Sequence, residues 1–297
     1  MKHRPLISFD WALKNLLRNQ ANFVILEGFL STLLKKNIVV LSILESESNA
    51  NHNSQKINRV DLLVENQDKE RIIVELQYND EYDYFQRMLF ATSKHIVNNL
   101  DKGKNYGAIK KVYSINLIYF DLGQGTDYVY HGKNEFRGIH QNDILGLSDT
   151  QKTMFEQDNV YQIYPEYYVI KINNFNDITQ DNLDEWIYYF KNDDLKDNFK
   201  AQGLSEVREL LRLGKLSEAE KNAYERYIEE LASAQSMVLT AQMKGIAEGR
   251  AEGIAEGRAE GEHKKAIEMA QKLKAKGFSD EDIADITGLT LSEIKRL

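Results

Sequence analysis

Arg59-Val60-Asp61-Leu62-Leu63-Val64 and Ile72-Ile73-Val74-Glu75-Leu76-Gln77 are the stretches that decide how this chain folds. Each is a run of β-forming apolar residues with a carboxylate inside it, where a buried strand least tolerates one. Side chains alternate across a strand, so Ile73, Glu75 and Gln77 share one face and Ile72, Val74 and Leu76 the other. The intervening Glu65-Asn66-Gln67-Asp68-Lys69-Glu70 reads as a hairpin turn. A hairpin centred on Asp68 sets Asp61 opposite Glu75, and a slip of one residue would send them to opposite faces. Two carboxylates within about 5 Å raise each other's proton affinity, and a hard divalent cation relieves the repulsion. Magnesium takes oxygen ligands and keeps several waters, so Asp61, Glu75 and the backbone carbonyl of Leu76 are a candidate ligand set, with manganese able to substitute. Either carboxylate alone would read as an ordinary solvent-facing strand residue. As a pair in a sheet flanked by helical sequence, they need partners.

Working outward, residues 9–37 carry Phe23, Leu26, Phe29, Leu30, Leu33 and Leu34 at helical spacing, which gives one apolar face. A β-rich run over 38–44 and a polar loop over 45–53 precede the two strands. Helical periodicity returns over 80–100, with Tyr84, Met88, Ala91 and His95, or alternatively Phe85, Leu89 and Ile96, facing inward. Residues 112–122 and 161–172 read as further strands. This order predicts an α/β (α+β) core over 1–175, followed by a charged helical extension over 176–242. Glycines 245, 249, 253, 257 and 261 then recur every four residues. Each costs about 1 kcal/mol in a helix interior, so residues 243–263 are either a linker or a helix with a close-approach stripe. In 264–297, Gly277 and Gly288 are helix stops, and Ser279 and Thr290 are caps. That outline fits a small helix-turn-helix-like module with residues 290–297 in the recognition position, or a helical knob for assembly.

The 297 residues include no cysteine, which excludes disulfides, thiol nucleophiles and thiolate zinc sites and fits a reducing cytoplasm. No run approaches the roughly 20 apolar residues of a membrane span. The net charge of −8 argues against a general nucleic-acid coat but not against a local phosphate site.

The residues in the strands resemble the PD-(D/E)XK nuclease core: Asp61 on one strand, then Glu75-Leu76-Gln77 ending the next, with Gln77 in the lysine position. More closely, Lys56-Ile57-Asn58-Arg59-Val60-Asp61, Val74-Glu75-Leu76-Gln77 and Phe85-Gln86-Arg87-Met88 resemble the recombination-promoting nuclease (Rpn) and transposase family. So do Lys102-Gly103-Lys104-Asn105-Tyr106 and Val112-Tyr113-Ser114-Ile115-Asn116-Leu117. Asp10, followed by Leu13 and Lys14, is similar to that family's N-terminal Asp-x-x-Phe-Lys signature, with leucine for phenylalanine. The specific motifs span residues 10–122, and the repeat and terminal helices match the family's tails in outline. The resemblance implies a restriction-endonuclease-like central mixed sheet flanked by helices. It also implies metal-dependent DNA endonuclease activity linked to recombination or mobile elements. Asp61 and Glu75 would be metal ligands, Gln77 the third catalytic residue, and Asp10, Lys56 and Arg87 supporting residues. A glutamine amide only donates and accepts hydrogen bonds, so proton removal would fall to metal-activated water. The reading from another class is a non-catalytic DNA-binding or oligomeric scaffold that keeps the nuclease fold.

Other candidates are less specific. Arg87 and Lys94 share a helix face that can meet a phosphate or stand solvated. Lys102, Lys104, Lys110 and Lys111 form the densest basic cluster of the core and can track a DNA backbone, or they belong to a solvated loop. Tyr78, Tyr82 and Tyr84 suit base stacking or plain packing, and the histidines show no ligand spacing. The C-terminal helices are candidates for a homodimer or higher oligomer.

Overall fold

The two carboxylate-bearing runs are adjacent antiparallel strands in the computed structural model of the chain, which describes residues 6–17, 19–44, 61–98 and 105–297. Strand β2 is Leu62–Asn66 and β3 is Arg71–Gln77. They pair Leu62 with Val74, Leu63 with Ile73, Val64 with Ile72 and Glu65 with Arg71, which is the register expected of a hairpin about Asp68. The turn is tighter than the sequence suggested, because Glu65 and Asn66 still belong to β2. Buried Asn66 organises it: its Oδ1 accepts from the backbone N–H groups of Asp68 (3.1 Å) and Glu70 (2.8 Å), and Lys69 takes a positive φ of 59°. A side chain that satisfies two turn donors fixes where the hairpin reverses, and so fixes the register above it.

Before the hairpin come α1 (Phe9–Asn15), α2 (Phe23–Leu34) and β1 (Val40–Leu44). The sequence reads α1 and α2 as one helix, but asparagines divide them. Asn22 donates to the Leu16 carbonyl and Asn19 accepts from Ala21 N–H, side-chain bonds that compete with the helical ladder. After the hairpin follow α3 (Tyr84–Asn98), β4 (Val112–Ile118), β5 (Val129–Gly132), α4 (Asp149–Phe155) and β6 (Glu166–Lys171). The sheet is mixed, in the order β1-β2-β3-β4-β6-β5, with β4 parallel to β3 and to β6. The edge strand β5 and helix α4 were not legible in the sequence.

Helices cover both faces of the sheet. On one face α3 packs through Ala91 onto Leu63, Ile73 and Val112, and through Tyr84 and Met88 onto Ile118 and Val169. Of the two inward sets proposed for this helix, the one with Tyr84, Met88 and Ala91 is buried, while Phe85 and Leu89 are exposed. On the other face Ile72, Val74, Leu76, Ile115 and Ile170 join a large core with α1, α2, α5 (Asn182–Asn192) and α6 (Leu204–Leu210). Phe9, Phe29, Trp186 and Phe190 form its aromatic centre.

The chain divides into two compact units, Met1–Ile228 and Glu229–Leu297, with helix α7 (Glu218–Ala275) running across the division in sequence. The glycine-period repeat is helical throughout and lies within α7. In the second unit Gly277 and Gly288 adopt positive φ, and Ser279 and Thr290 cap α8 (Asp280–Thr287) and α9 (Leu291–Ile294). Ala270, Ile283, Leu289 and Ile294 form its small core.

Candidate active site

Continuing the β2–β3 register by one residue brings Asp61, at the mouth of β2, beside Glu75. The contact is explicit: Leu76 N–H donates to Asp61 Oδ2 at 2.8 Å. Leu76 therefore turns its backbone groups toward the Asp61 side, while Gln77 turns its carbonyl toward β4 and accepts from Tyr119 N–H at 2.9 Å. On the far side of Glu75 its β4 register partner is Asn116. The Asn116 amide is held by Ser114 and the Tyr168 carbonyl and accepts from Tyr84 Oη at 3.2 Å.

Glu75 is almost fully buried, at 3% exposure, and its Oε1 has no hydrogen-bond partner. Arg87, from the first turns of α3, approaches its Oε2 to 3.7 Å and binds Glu81 at 2.5 Å. Burial pushes the Glu75 carboxyl up to about 7, with the Asp61 and Glu81 charges adding to the rise and Arg87 opposing it. Burial also raises Asp61, against the Leu76 N–H and Lys14. A buried carboxyl with an orphaned oxygen and a raised pKa is unstable as an isolated anion. It fits a site completed by a cation. Among the described residues no group of three or more His, Asp or Glu side chains gathers to hold a metal. A cation here would rest on the two carboxylates, a backbone carbonyl and water.

The remaining expected residues separate. Gln77 directs its Nε2 to Glu81 Oε1 (2.9 Å) and to the Asn79 carbonyl (3.2 Å), so both amide hydrogens point to protein oxygens. Asp10 is buried beneath the site: Lys14 Nζ lies 2.8 Å from its Oδ1 and 3.9 Å from Asp61 Oδ1, and Tyr227 Oη donates to its Oδ2. Lys94 is half-buried on α3 and Lys110 is exposed. Lys111 departs from the reading as a DNA contact. Its ammonium is buried and bonded to Glu166 (2.7 Å) and to the carbonyls of Tyr161 and Tyr164, so all three donors are occupied within the protein. Lys56, Lys102 and Lys104 lie outside the described residues.

Three residues at the site were not singled out for a role. Glu81 gathers Gln77 and Arg87 from a loop whose sequence carries no motif. Tyr227 reaches Asp10 from 217 residues away, a separation no local pattern encodes. Asn116 was visible in principle, since it is a polar residue in the apolar run of β4, the same signal that marked Asp61 and Glu75.

This geometry coincides with a family match: the description PD-(D/E)XK nuclease family transposase covers residues 7–241. The chain belongs to that family. Searches of curated proteins and of solved structures found no significant match. The six-stranded mixed sheet flanked by helices agrees with the family's fold, and the matched region includes α1, both carboxylate strands and the first turns of α7. No helix among the described residues is long and apolar enough to cross a membrane.

Proposed function

We propose that this family member is a metal-dependent DNA endonuclease of the recombination-promoting type, which hydrolyses phosphodiester bonds at the Asp61–Glu75 pair with magnesium, or manganese in its place. The observation that carries the reading is the orphaned, buried Glu75 Oε1 beside Asp61. A cost of this kind in the middle of a sheet has a reason if the carboxyl pair holds a cation. When bound, a divalent cation would activate water and neutralise charge on the phosphate. The chain's own residues do the rest. Asp61 and Glu75 present oxygens on one face, the Leu76 carbonyl offers a third ligand, and Arg87 steadies Glu75. Gln77, its amide hydrogens committed to Glu81 and Asn79, offers an acceptor oxygen that can orient a water.

DNA is the proposed substrate, and the second unit is proposed for assembly of copies. Its α9 has four residues, and α8 opens with Asp280, Glu281 and Asp282. That is too short and too acidic for a major-groove recognition helix. Exposed Met237, Leu239, Met243 and Ile246 instead offer apolar surface to a partner helix. The test is nicking of supercoiled plasmid with magnesium. Wild type should nick, EDTA should stop it, and Asp61→Ala or Glu75→Ala should abolish it while the fold persists. Full activity in both variants, or no magnesium binding by calorimetry, would favour the scaffold reading instead.

A further inference from the structure

The site lacks one component a phosphodiester needs. A lysine two residues past Glu75 would place a positive charge against the scissile phosphate, but that position holds Gln77, whose amide hydrogens are directed to Glu81 and Asn79. Two cations lie nearby among the described residues. Arg87 is held between carboxylates, 2.5 Å from Glu81 and 3.7 Å from Glu75, and is the less exposed of the two at 28%. Lys14, in the last turn of α1, is 44% exposed, 2.8 Å from Asp10 and 3.9 Å from Asp61.

We infer that Lys14 supplies from α1 the phosphate-contacting charge that Gln77 does not provide, and that Asp10 and Tyr227 position it. The inference rests on the nuclease reading above and names a residue outside the two strands. An ammonium carries three donors in rotatable geometry. The group lies 2.8 Å from Asp10 Oδ1 as an ion pair, and at 3.9 Å the separation from Asp61 is too long for a direct hydrogen bond. The exposed side of the group is therefore available to an anion arriving at Asp61. Stability alone gives a poor account of the arrangement, because Asp10 is only 2% exposed and burying a charge is costly. As a bracket it is effective. Asp10 lies one helical turn before Lys14 and is itself fixed by Tyr227 Oη of α7, which holds the lysine beside Asp61.

Three readouts test this on the full chain, using Lys14→Ala, Lys14→Gln and Lys14→Arg, each first checked for folding by tryptophan fluorescence. Removing one preorganised charge from a transition state lowers rates by about 10²–10³-fold. Magnesium-dependent nicking should fall by that amount in the alanine and glutamine variants and return in part with arginine. Magnesium affinity, read by calorimetry, should be unchanged or tighter, since a competing cation has left Asp61. With calcium in place of magnesium, log affinity for a DNA duplex against log salt should lose about 0.9 of slope, one phosphate contact. Wild-type nicking by folded Lys14→Gln would overturn the inference and leave the nuclease reading intact. A loss of nicking matched by lost magnesium affinity would also overturn it, because Lys14 would then only shape the carboxylates. Absence of both nicking and magnesium binding in the wild type would overturn the two together.

Discussion

Replacing Glu75 by glutamine should stabilise the metal-free protein at neutral and alkaline pH, by an amount that the burial of the carboxyl fixes. Its pKa rises from 4.5 to about 7 in the folded state. Below pH 4.5 folded and unfolded forms both carry the proton, and the group contributes nothing to pH dependence. Between 4.5 and 7 the unfolded chain ionises while the folded one does not, so stability is lost as pH rises through this window. Above 7 the loss is complete, on the order of 3 kcal/mol. Glutamine keeps the shape and cannot ionise, so the stability of Glu75→Gln minus wild type should grow by about 3 kcal/mol between pH 4 and pH 8 in EDTA. Urea unfolding read by tryptophan fluorescence isolates the relevant unit. The chain has two tryptophans, and Trp11 and Trp186 both lie in the core built on the sheet. Added magnesium at pH 8 should narrow the gap by stabilising the wild type alone, since a ligand that binds only the folded state raises its stability. A difference between variant and wild type that is equal at pH 4 and pH 8, to within about 0.5 kcal/mol, would refute the claim that Glu75 is held unfavourably in the absence of metal.

Two further substitutions check the packing. Gly28→Ala would bring a Cβ to 2.3 Å from the Gln202 carbonyl oxygen, where backbone must shift, and should lower unfolding free energy by more than about 2 kcal/mol. Lys111→Met removes one partner of the buried pair with Glu166 and should cost about 3–5 kcal/mol, while DNA affinity per folded molecule stays as in the wild type. A fall in affinity with unchanged stability would restore Lys111 as a DNA contact.

The hairpin was legible because its evidence is local. Two carboxylates at matching parity around one turn determine a register, and Asn66 then enforces it through bonds within four residues. What the sequence hid lies at longer range. Lys111 looks like part of a basic cluster because its partner Glu166 is 55 residues on, and Asp10 looks like an isolated signature residue because Tyr227 lies beyond all six strands. The N-terminal segment reads as one unbroken helix because apolar periodicity continues through Asn19 and Asn22. Periodicity reports burial and says nothing about side chains that capture backbone groups. The long helix α7 shows the converse. Five glycines lowered its expected helicity, yet the Ala, Glu and Arg residues between them carry the helix through the whole repeat.

The charges at the site show why its cations matter more than their number suggests. Among the described residues, Asp10, Asp61, Glu75 and Glu81 face Lys14 and Arg87, a local excess of negative charge within a chain of net charge −8. A phosphodiester approaching this surface would meet repulsion until something offsets that charge. Proton uptake by Glu75 relieves part of it below about pH 7, but a protonated carboxyl is a poor cation ligand, so the state that tolerates the phosphate is not the state that binds metal. A divalent cation between the carboxylates would resolve the conflict, since its two positive charges together with Lys14 and Arg87 would balance the four carboxylates. On the proposed function, metal and DNA binding would be coupled, each strengthening the other as reciprocal linkage requires. The six-strand scaffold contributes the one element the cation cannot supply: a register that holds two like charges side by side before it arrives.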